Sequence, residues 1–317
     1  MVTGGLGFIG SNLARRLLEA GAEVLVVDSL LGNTGANCAN LKDIESRLSI
    51  RVVDVRNAEK MACLVPGHKV VFNLAGTVSH LDSMTDPLSD MGANVHAQIV
   101  QLEACRRYAP EARIIFASTR QIYGRPLSCP VAESHPTCPT DVNGIHKVAA
   151  EAYHTLYHKT YGLQTVSLRL TNTYGPRMRI KDARQTFLGV WVRRVLEGGI
   201  FEVWGGQQKR DLTYIDDAVE AFLVAGACTV AQGRVFNIGG GPPITLISLA
   251  ESLAATAGGG RFEIKEFPPE RLRIDIGDYF ADDRLFRKVT GWTPRVTLQD
   301  GLARTLEYFR NCLSDYV

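Results

Sequence analysis

Short runs of consecutive apolar residues alternate with stretches in which apolar residues recur every three or four positions. The first pattern is typical of strands buried on both faces, and the second is typical of amphipathic helices. Strands are predicted over residues 23–27, 48–55, 70–76, 112–117, 165–170, 201–204 and 234–238, and helices over 11–20, 94–107, 141–161, 187–197 and 245–255, and from Asp216 onward. This alternation predicts an α/β fold built on a doubly wound parallel sheet, the Rossmann fold.

The regular alternation weakens after Pro176 and returns only in part. The strand predicted over 234–238 is expected to rejoin the main sheet. We therefore predict a Rossmann domain over residues 1–172, completed by about 214–240, and a smaller mixed α/β lobe over 173–213 and 241–317.

A glycine-rich turn precedes the first predicted helix. Gly4, Gly7 and Gly10 allow a tight turn and a close approach of phosphates, while the helix N-terminus offers unpaired N–H groups. Asp28 ends the next strand, about 20 residues downstream, as expected of an acid that binds ribose hydroxyls. A carboxylate repels a 2′-phosphate and no Arg follows it directly, so the predicted cofactor is NAD rather than NADP.

Further cofactor contacts are predicted where the other strands end. The loop after Asp28 is placed to wrap the adenosine, and Asp54 either accepts from the adenine amino group or closes an ordinary turn. The small Ala75 and Gly76 let a ribose and nicotinamide approach the backbone. The predicted cofactor-binding set is Gly4, Gly7, Phe8, Ile9, Gly10, Asp28, Ser29, Asn33, Asp54, Val55, Leu74, Ala75, Gly76, Asn94, Lys147 and Thr171.

Bulk properties narrow the class of protein. The 317 residues carry a formal net charge of only +2, so no broad basic field points to nucleic acid or an anionic membrane as a partner. No apolar run approaches the roughly 18 residues of a membrane span. The seven cysteines form no Cys-x-x-Cys pair, which favours free thiols over zinc or disulfides. We expect a cytoplasmic enzyme without a bound metal.

The chain resembles the extended short-chain dehydrogenase/reductase family, specifically its nucleotide-sugar epimerases and dehydratases. The likeness covers nearly the whole chain. Its motifs are Thr3-Gly4-Gly5-Leu6-Gly7-Phe8-Ile9-Gly10, Asp54-Val55, Asn73-Leu74-Ala75-Gly76, Ser118-Thr119 before Ile122-Tyr123-Gly124, Lys147, Asn172 before Tyr174-Gly175-Pro176-Arg177, Arg210-Asp211, Asn237-Ile238-Gly239 and Gly291-Trp292-x-Pro294. The resemblance implies NAD beneath a nucleoside-diphosphate sugar, whose carbinol is oxidised, rearranged as the ketone and reduced again.

That chemistry needs a proton acceptor beside the nicotinamide and a donor for the developing oxyanion. The resemblance implies that a Tyr is the base, with its pKa lowered by a Lys one helical turn away, and that a Ser or Thr assists. Thr119 and Lys147 match the latter two, but Asn143 stands where the Tyr is expected. An amide is no general base near neutral pH.

The sequence therefore leaves several candidates for the proton acceptor. Candidates are Lys147 with a lowered pKa, His146, His80, or Thr119 relaying to a ribose hydroxyl. A packed or surface position is the simpler interpretation of His146. Tyr123 is a weaker substitute, since in the family this Tyr is more often structural or a wall of the sugar pocket.

The reaction type depends on the residues after Thr119. Related sugar dehydratases usually carry an acid there, because eliminating water needs a proton shuttle, whereas this chain has Arg120 and Gln121. This favours an epimerase. The alternatives are a dehydratase of the kind that lacks the Tyr, and a non-catalytic NAD or nucleotide-sugar binding or sensor protein.

The expected partners are a nucleoside-diphosphate sugar and a second copy of the chain. Arginine suits a pyrophosphate because its guanidinium bonds two oxygens. The resemblance implies a homodimer through the helices over 94–107 and 141–161. The predicted substrate-binding set is Thr77, His80, Thr119, Tyr123, Asn172, Arg184, Arg210 and Arg271.

Overall fold

The computed structural model describes residues 1–32, 34–184 and 186–317, without the side chains of Glu270 and Arg271. Asn33 and the Arg271 side chain, both predicted to bind ligands, thus lie outside the described residues. The strands are β1 (Val2–Thr3), β2 (Leu25–Asp28), β3 (Ser49–Val52), β4 (Val70–Asn73), β5 (Arg113–Thr119), β6 (Gln164–Leu170), β7 (Asn172–Tyr174), β8 (Ile200–Trp204), β9 (Lys209–Arg210), β10 (Leu212–Tyr214), β11 (Arg234–Ile238), β12 (Ile244–Thr245) and β13 (Arg261–Lys265).

The helices are α1 (Phe8–Glu19), α2 (Ala58–Leu64), α3 (His80–Thr85), α4 (Pro87–Met91), α5 (Ala97–Tyr108), α6 (Val142–Tyr161), α7 (Phe187–Leu196), α8 (Ile215–Ala227), α9 (Leu246–Thr256), α10 (Pro269–Leu272), α11 (Arg284–Thr290) and α12 (Leu298–Cys312). The helix predicted over 94–107 starts differently from the prediction: a π-helical turn at Gly92–His96 comes first, and the α-helix α5 begins at Ala97. The strand predicted over 48–55 is also shorter than expected.

A seven-stranded parallel sheet forms the centre of the fold, in the order β11-β6-β5-β4-β1-β2-β3. Strand β1 lies between β2 and β4, so the strand order reverses at this point. In such sheets the ligand crevice lies beyond the carboxyl ends of the strands at the reversal. The predicted α/β class and doubly wound parallel sheet are confirmed, and β11 pairs with β6 as expected.

Among the described residues, three two-stranded sheets accompany the central one: β7 pairs with β10, β8 with β13 and β9 with β12. One hydrophobic cluster joins residues on both sides of the predicted division, from Val2 through Phe236 and Trp191 to Phe286 and Phe309. The division into a Rossmann domain and a nucleotide-sugar lobe therefore stays a prediction.

A buried ion pair fixes the elements that carry the candidate catalytic residues. Arg169 of β6 donates from Nε to Glu151 Oε2 of α6 at 3.0 Å and from Nη2 to Oε1 at 2.5 Å. The Ser118 hydroxyl of β5 donates to the same Glu151 Oε2 at 2.8 Å. The end of β5, next to Thr119, is thus held against α6, which carries Asn143 and Lys147.

Candidate active site

The glycine turn packs against the end of β4. Gly4 adopts a left-handed φ of +67°, and a Cβ there would lie 2.7 Å from the carbonyl oxygen of Leu74. A Cβ on Gly10 would collide with the Gly4 carbonyl. Helix α1 starts after Gly7, and within the described residues no side chain caps its first turn. Its amide groups therefore remain available to a pyrophosphate, which fits the cofactor predicted from the sequence.

Asp28 is tied to this turn. Its Oδ2 accepts from the Leu6 amide and its Oδ1 from the Leu30 amide, each at 3.0 Å. Burial raises the pKa of the carboxyl, although these hydrogen bonds oppose the rise. The acid thus lies at the glycine turn as predicted, where it suits ribose hydroxyls.

Strand β3 leads to a second acid in the same cleft. Asp54 binds Arg56 through both carboxylate oxygens, and this hydrogen bonding lowers the pKa of Asp54. Val55 and Arg56 also line the cleft. Arg56 was not predicted as a site residue, although it follows the Asp54-Val55 motif directly.

Gly76 and Lys147 lie side by side in the lining of the cleft. A Cβ on Gly76 would lie 2.5 Å from Asn94 Oδ1 and 3.3 Å from Lys147 Nζ, so only a glycine fits there. The Lys147 ammonium donates to the Ala117 carbonyl at 3.5 Å, and burial lowers its pKa to about 8. The Asn94 side chain is itself held in place, because its Nδ2 donates to Thr77 Oγ1 at 2.7 Å.

Asn143 belongs to a buried polar network. Its Nδ2 donates to the Thr77 carbonyl at 3.0 Å and to Asp90 Oδ2 at 2.9 Å. Asp90 also accepts from the Thr77 hydroxyl at 2.7 Å and bonds His146 Nδ1 at 2.6 Å. Burial by itself would raise the pKa of Asp90. Its hydrogen bonds have the larger combined effect, so the pKa lies below its usual value. Asn143 Oδ1 is buried and has no hydrogen-bond partner among the described residues.

The cleft is also lined by Thr119, the last residue of β5, and by the residues that follow it. Thr119 Oγ1 accepts from the Gln121 amide at 3.3 Å, and Arg120 donates to Asn172 Oδ1 at 3.2 Å. The Gln121 side chain reaches His80, with 2.6 Å between the two Nε2 atoms. Every one of these residues lines the cleft.

Most of the predicted site residues therefore meet in one cleft. Those that line it are Gly4, Gly7, Phe8, Ile9, Gly10, Asp28, Ser29, Asp54, Val55, Leu74, Ala75, Gly76, Thr77, His80, Thr119, Asn143, Lys147, Thr171 and Asn172. Sequence reasoning missed Asp90 and Asp141, which hold cleft residues in place. Asp141 stands at the start of a predicted helix, a position that signals a cap, whereas nothing local marks Asp90.

Tyr123 does not line the cleft. Its side chain is fully buried, donates to Asn237 Oδ1 at 2.7 Å and accepts from Arg169 at 2.7 Å. Burial raises its pKa to about 12. Tyr123 therefore has a structural role in this structure, and its predicted substrate contact stays a prediction.

Two predicted arginines also lie outside the lining of the cleft. Arg184 binds Asp82 at 2.9 Å and Asp182 at 2.7 Å. Arg210 is buried, donates to the Lys209 carbonyl at 2.9 Å and lies 3.6 Å from an oxygen of Asp275. Both guanidinium groups are bound to protein oxygens, so each would have to exchange these partners to bind a phosphate.

The described part of the chain shows neither a metal-binding cluster nor a membrane-spanning helix. No group of three or more His, Cys, Asp or Glu side chains in residues 1–32, 34–184 and 186–317 is arranged to hold a metal ion. None of the helices found there has the length and apolar character needed to cross a membrane.

A parallel sheet of this order, a glycine turn at the reversal and an acid at the end of β2 define a dinucleotide-binding enzyme fold. Residues 1–239 match the model of the NAD dependent epimerase/dehydratase family. The chain is 31% identical to a UDP-glucose 4-epimerase of Mycolicibacterium smegmatis, over 98% of both proteins.

Two solved structures share the fold. The UDP-glucose 4-epimerase of Thermotoga maritima with UDP-glucose has a TM-score of 0.88 and 30% identity, and the match covers 98% of each chain. The dTDP-glucose 4,6-dehydratase of Streptomyces venezuelae, with NAD and TYD bound, has a TM-score of 0.89 and 27% identity, over 99% of this chain and 97% of that one.

The chain therefore belongs to the NAD-dependent epimerase/dehydratase family, and its cofactor is NAD. The uncapped first turn of α1, the acid at Asp28 and the close approach allowed by Gly76 all fit this dinucleotide.

Proposed function

We propose that this protein is an NAD-dependent nucleotide-sugar epimerase with Asn143 at the position of the family Tyr. It oxidises one sugar carbinol and, after the ketone has presented its other face, reduces it with inverted configuration. One observation carries the choice of reaction. The acidic side chains among the described cleft-lining residues are Asp28 and Asp54, both at the dinucleotide end, while Arg120 and Gln121 follow Thr119.

Thr119 and Lys147 take the roles that the family resemblance implies. Bound NAD supplies the hydride acceptor and returns the hydride. The Thr119 hydroxyl donates to the oxygen on which charge develops. Lys147 holds the nicotinamide ribose, and its position beside Gly76 supports this role. Asn143 leaves Oδ1 as an acceptor at the same end of the cleft.

The substrate is a nucleoside-diphosphate sugar. Asn172 and Thr77, which line the cleft, are proposed to hold the sugar and its diphosphate. Arg210 is proposed to join them by exchanging its present protein partners for phosphate oxygens. Arg184 and Arg271 remain proposed contacts of the nucleotide end. The UDP-glucose named with the Thermotoga maritima structure makes UDP-sugars the first to test.

A dehydratase remains the second candidate, because a dTDP-glucose 4,6-dehydratase also matches almost the whole chain. Elimination of water needs one group to remove a C–H proton and another to protonate the leaving hydroxyl, in addition to the base for the carbinol. The scarcity of acids at the sugar end argues against it. A non-catalytic sensor is a third possibility, and the presence of Thr119 and Lys147 in one cleft argues against that.

We also propose a cytoplasmic homodimer. Exposed apolar side chains on the surface of α6 and the neighbouring helices support an interface there: Ile145, Leu156 and Tyr161 on α6, Tyr108 on α5, Met84 on α3, and Leu88 and Met91 on α4. Light scattering coupled to size exclusion tests it. A wild-type monomer at micromolar concentration contradicts this proposal.

The test of function is incubation with NAD and a panel of UDP-, GDP-, CDP- and dTDP-sugars, read by mass spectrometry and proton NMR. We expect a product of unchanged mass with an inverted carbinol signal. Loss of 18 Da, the mass of water, would identify a dehydratase instead, and binding without turnover would identify a sensor.

The variant Lys147→Met tests the role proposed for Lys147. Loss of its ribose contact is expected to lower turnover by about 100-fold or more. Lys159→Met, exposed on the same helix, is the control. A fully active Lys147→Met protein refutes the role given to Lys147.

A further inference from the structure

We propose that His80, oriented by Asp141, accepts the carbinol proton that the family Tyr accepts elsewhere. The inference rests on the proposed function, because it names the base of that reaction. Asp141 is a positioning residue, since it acts through His80.

Asp141 is a rigid support for the imidazole. It is buried at the N-cap of α6, where its Oδ1 accepts from the Gly144 amide at 2.7 Å. Its Oδ2 lies 2.5 Å from His80 Nδ1. An ionised carboxylate only accepts hydrogen bonds, so Nδ1 carries the proton and Nε2 keeps its lone pair.

The partner of Nε2 agrees with this tautomer. The Gln121 side-chain nitrogen lies 2.6 Å away, and an amide nitrogen only donates. Nε2 therefore accepts a hydrogen bond in the cleft. The His80 side chain is 36% exposed, so a substrate hydroxyl can take the place of the Gln121 amide.

Gln121 also joins His80 to Thr119. Its backbone amide donates to Thr119 Oγ1 at 3.3 Å, while its side chain reaches His80. The proposed oxyanion donor and the proposed base thus lie on either side of one residue. An alcohol bound against Gln121 meets a donor and an acceptor together, which oxidation of a carbinol requires.

The other candidate bases are engaged elsewhere or protonated. Both amide hydrogens of Asn143 are donated, to Thr77 and Asp90. His146 is bound to Asp90 and does not line the cleft. The Lys147 ammonium donates to the Ala117 carbonyl, and an ammonium accepts no proton.

Oxidation of the carbinol separates a proton from a hydride. The carbinol O–H bond breaks and its proton moves to His80 Nε2, which becomes an imidazolium. The electron pair of that bond forms the C=O, and the carbon releases its hydrogen as hydride to the bound dinucleotide. Asp141 offsets the charge on the imidazolium, and the same proton returns when the ketone is reduced.

The test uses the full chain and the sugar identified in the panel. We expect His80→Ala to lower kcat by about 100-fold or more and exogenous imidazole to restore part of it. A merely structural histidine would not respond to imidazole. His68→Ala, at the opposite end of β4, is the matched control.

Asp141→Asn separates positioning from folding. Asparagine still caps α6, but its amide can donate to Nδ1 and shift the proton to Nε2. We expect a loss of kcat similar to that of His80→Ala, with unchanged thermal unfolding. Independently of activity, long-range nitrogen-15 NMR of histidine-labelled protein is expected to show His80 protonated at Nδ1, with the signal assigned by its loss in His80→Ala.

Failure of the two proposals is distinguishable. A wild type that turns over no sugar in the panel overturns the proposed function and the base with it. A wild type that turns over a sugar, while His80→Ala retains activity within threefold, overturns only the base. Protonation of His80 at Nε2 in the wild type also overturns it.

Discussion

The Asn143 side chain donates to Asp90 Oδ2 at 2.9 Å, and this bond ties the start of α6 to α4. Asp90 accepts from His146 and Thr77 as well, so a buried carboxylate depends on several donors. Burial strengthens hydrogen bonds of this kind and makes the loss of a partner costly. Residue 143 therefore has a structural function in addition to its place in the cleft.

Removal of the Asn143 amide is expected to destabilise the protein. Asn143→Ala leaves the Thr77 carbonyl without its donor and takes one of several donors from Asp90, at a cost of about 1–3 kcal/mol. Asn143→Tyr removes the same donors and adds a ring where the wild-type residue is fully buried, so it is expected to lose stability without gaining turnover. Urea unfolding and kcat measure both, with exposed Asn311→Ala as the control. A more active Asn143→Tyr protein contradicts the prediction and the role given to His80.

Lys147 is expected to make stability depend on pH. Its folded pKa of about 8 lies below the unfolded value of about 10.4. At pH values between these two, the unfolded chain binds more protons than the folded chain. Stability due to this group is lowest below pH 8 and rises as the pH approaches 10.5.

The difference in unfolding free energy between wild type and Lys147→Met measures this effect. It is expected to shift in favour of the wild type by on the order of 3 kcal/mol at most across that window. Urea titrations without added NAD, from pH 7 to 10.5, give the difference, and Lys159→Met controls for loss of a lysine. A flat difference would rule out the lowered pKa.

Glu151→Ala is expected to be among the most destabilising single changes. It leaves the Arg169 guanidinium buried without its ion-pair partner and removes the acceptor of Ser118. Breaking a buried pair in this way costs about 3–5 kcal/mol. Guanidinium chloride unfolding measures the loss. Glu197→Ala, which breaks the pair with Arg193 on α7, should cost about 0.5 kcal/mol, and equal losses for the two variants would disprove the argument.

Asp28 is expected to set the choice between NAD and NADP. Asp28→Asn removes the charge that repels a 2′-phosphate and weakens the acceptor for ribose hydroxyls. NAD affinity should fall by about 10-fold, while NADP affinity should rise. Isothermal titration with each dinucleotide tests this, with the exposed Asp43→Asn as the control. An unchanged ratio of the two affinities would show that another group makes the discrimination.

Residues that act through local sequence were predicted well. The glycine turn, Asp28 at the end of β2 and helix α6 each depend on a short segment whose spacing or turn chemistry is visible in the sequence. Arg210 and Tyr123 were placed by resemblance and Arg184 by the positive charge of its loop, and the structure finds their polar groups bound to Gly277, Asn237 and Asp182. Spacing along the chain carries no information about such partners.

The sequence by itself determined the α/β class, the doubly wound sheet, the NAD cofactor and the absence of a Tyr four residues before Lys147. Those features are periodic or contiguous, and so they are written in short segments. Only the tertiary structure decided that His80 meets Asp141, 61 residues away, and that Asn143 meets Asp90, 53 residues away. The reason is physical: the carboxyl ends of neighbouring strands bring distant loops together, and the contacts between their side chains follow from packing.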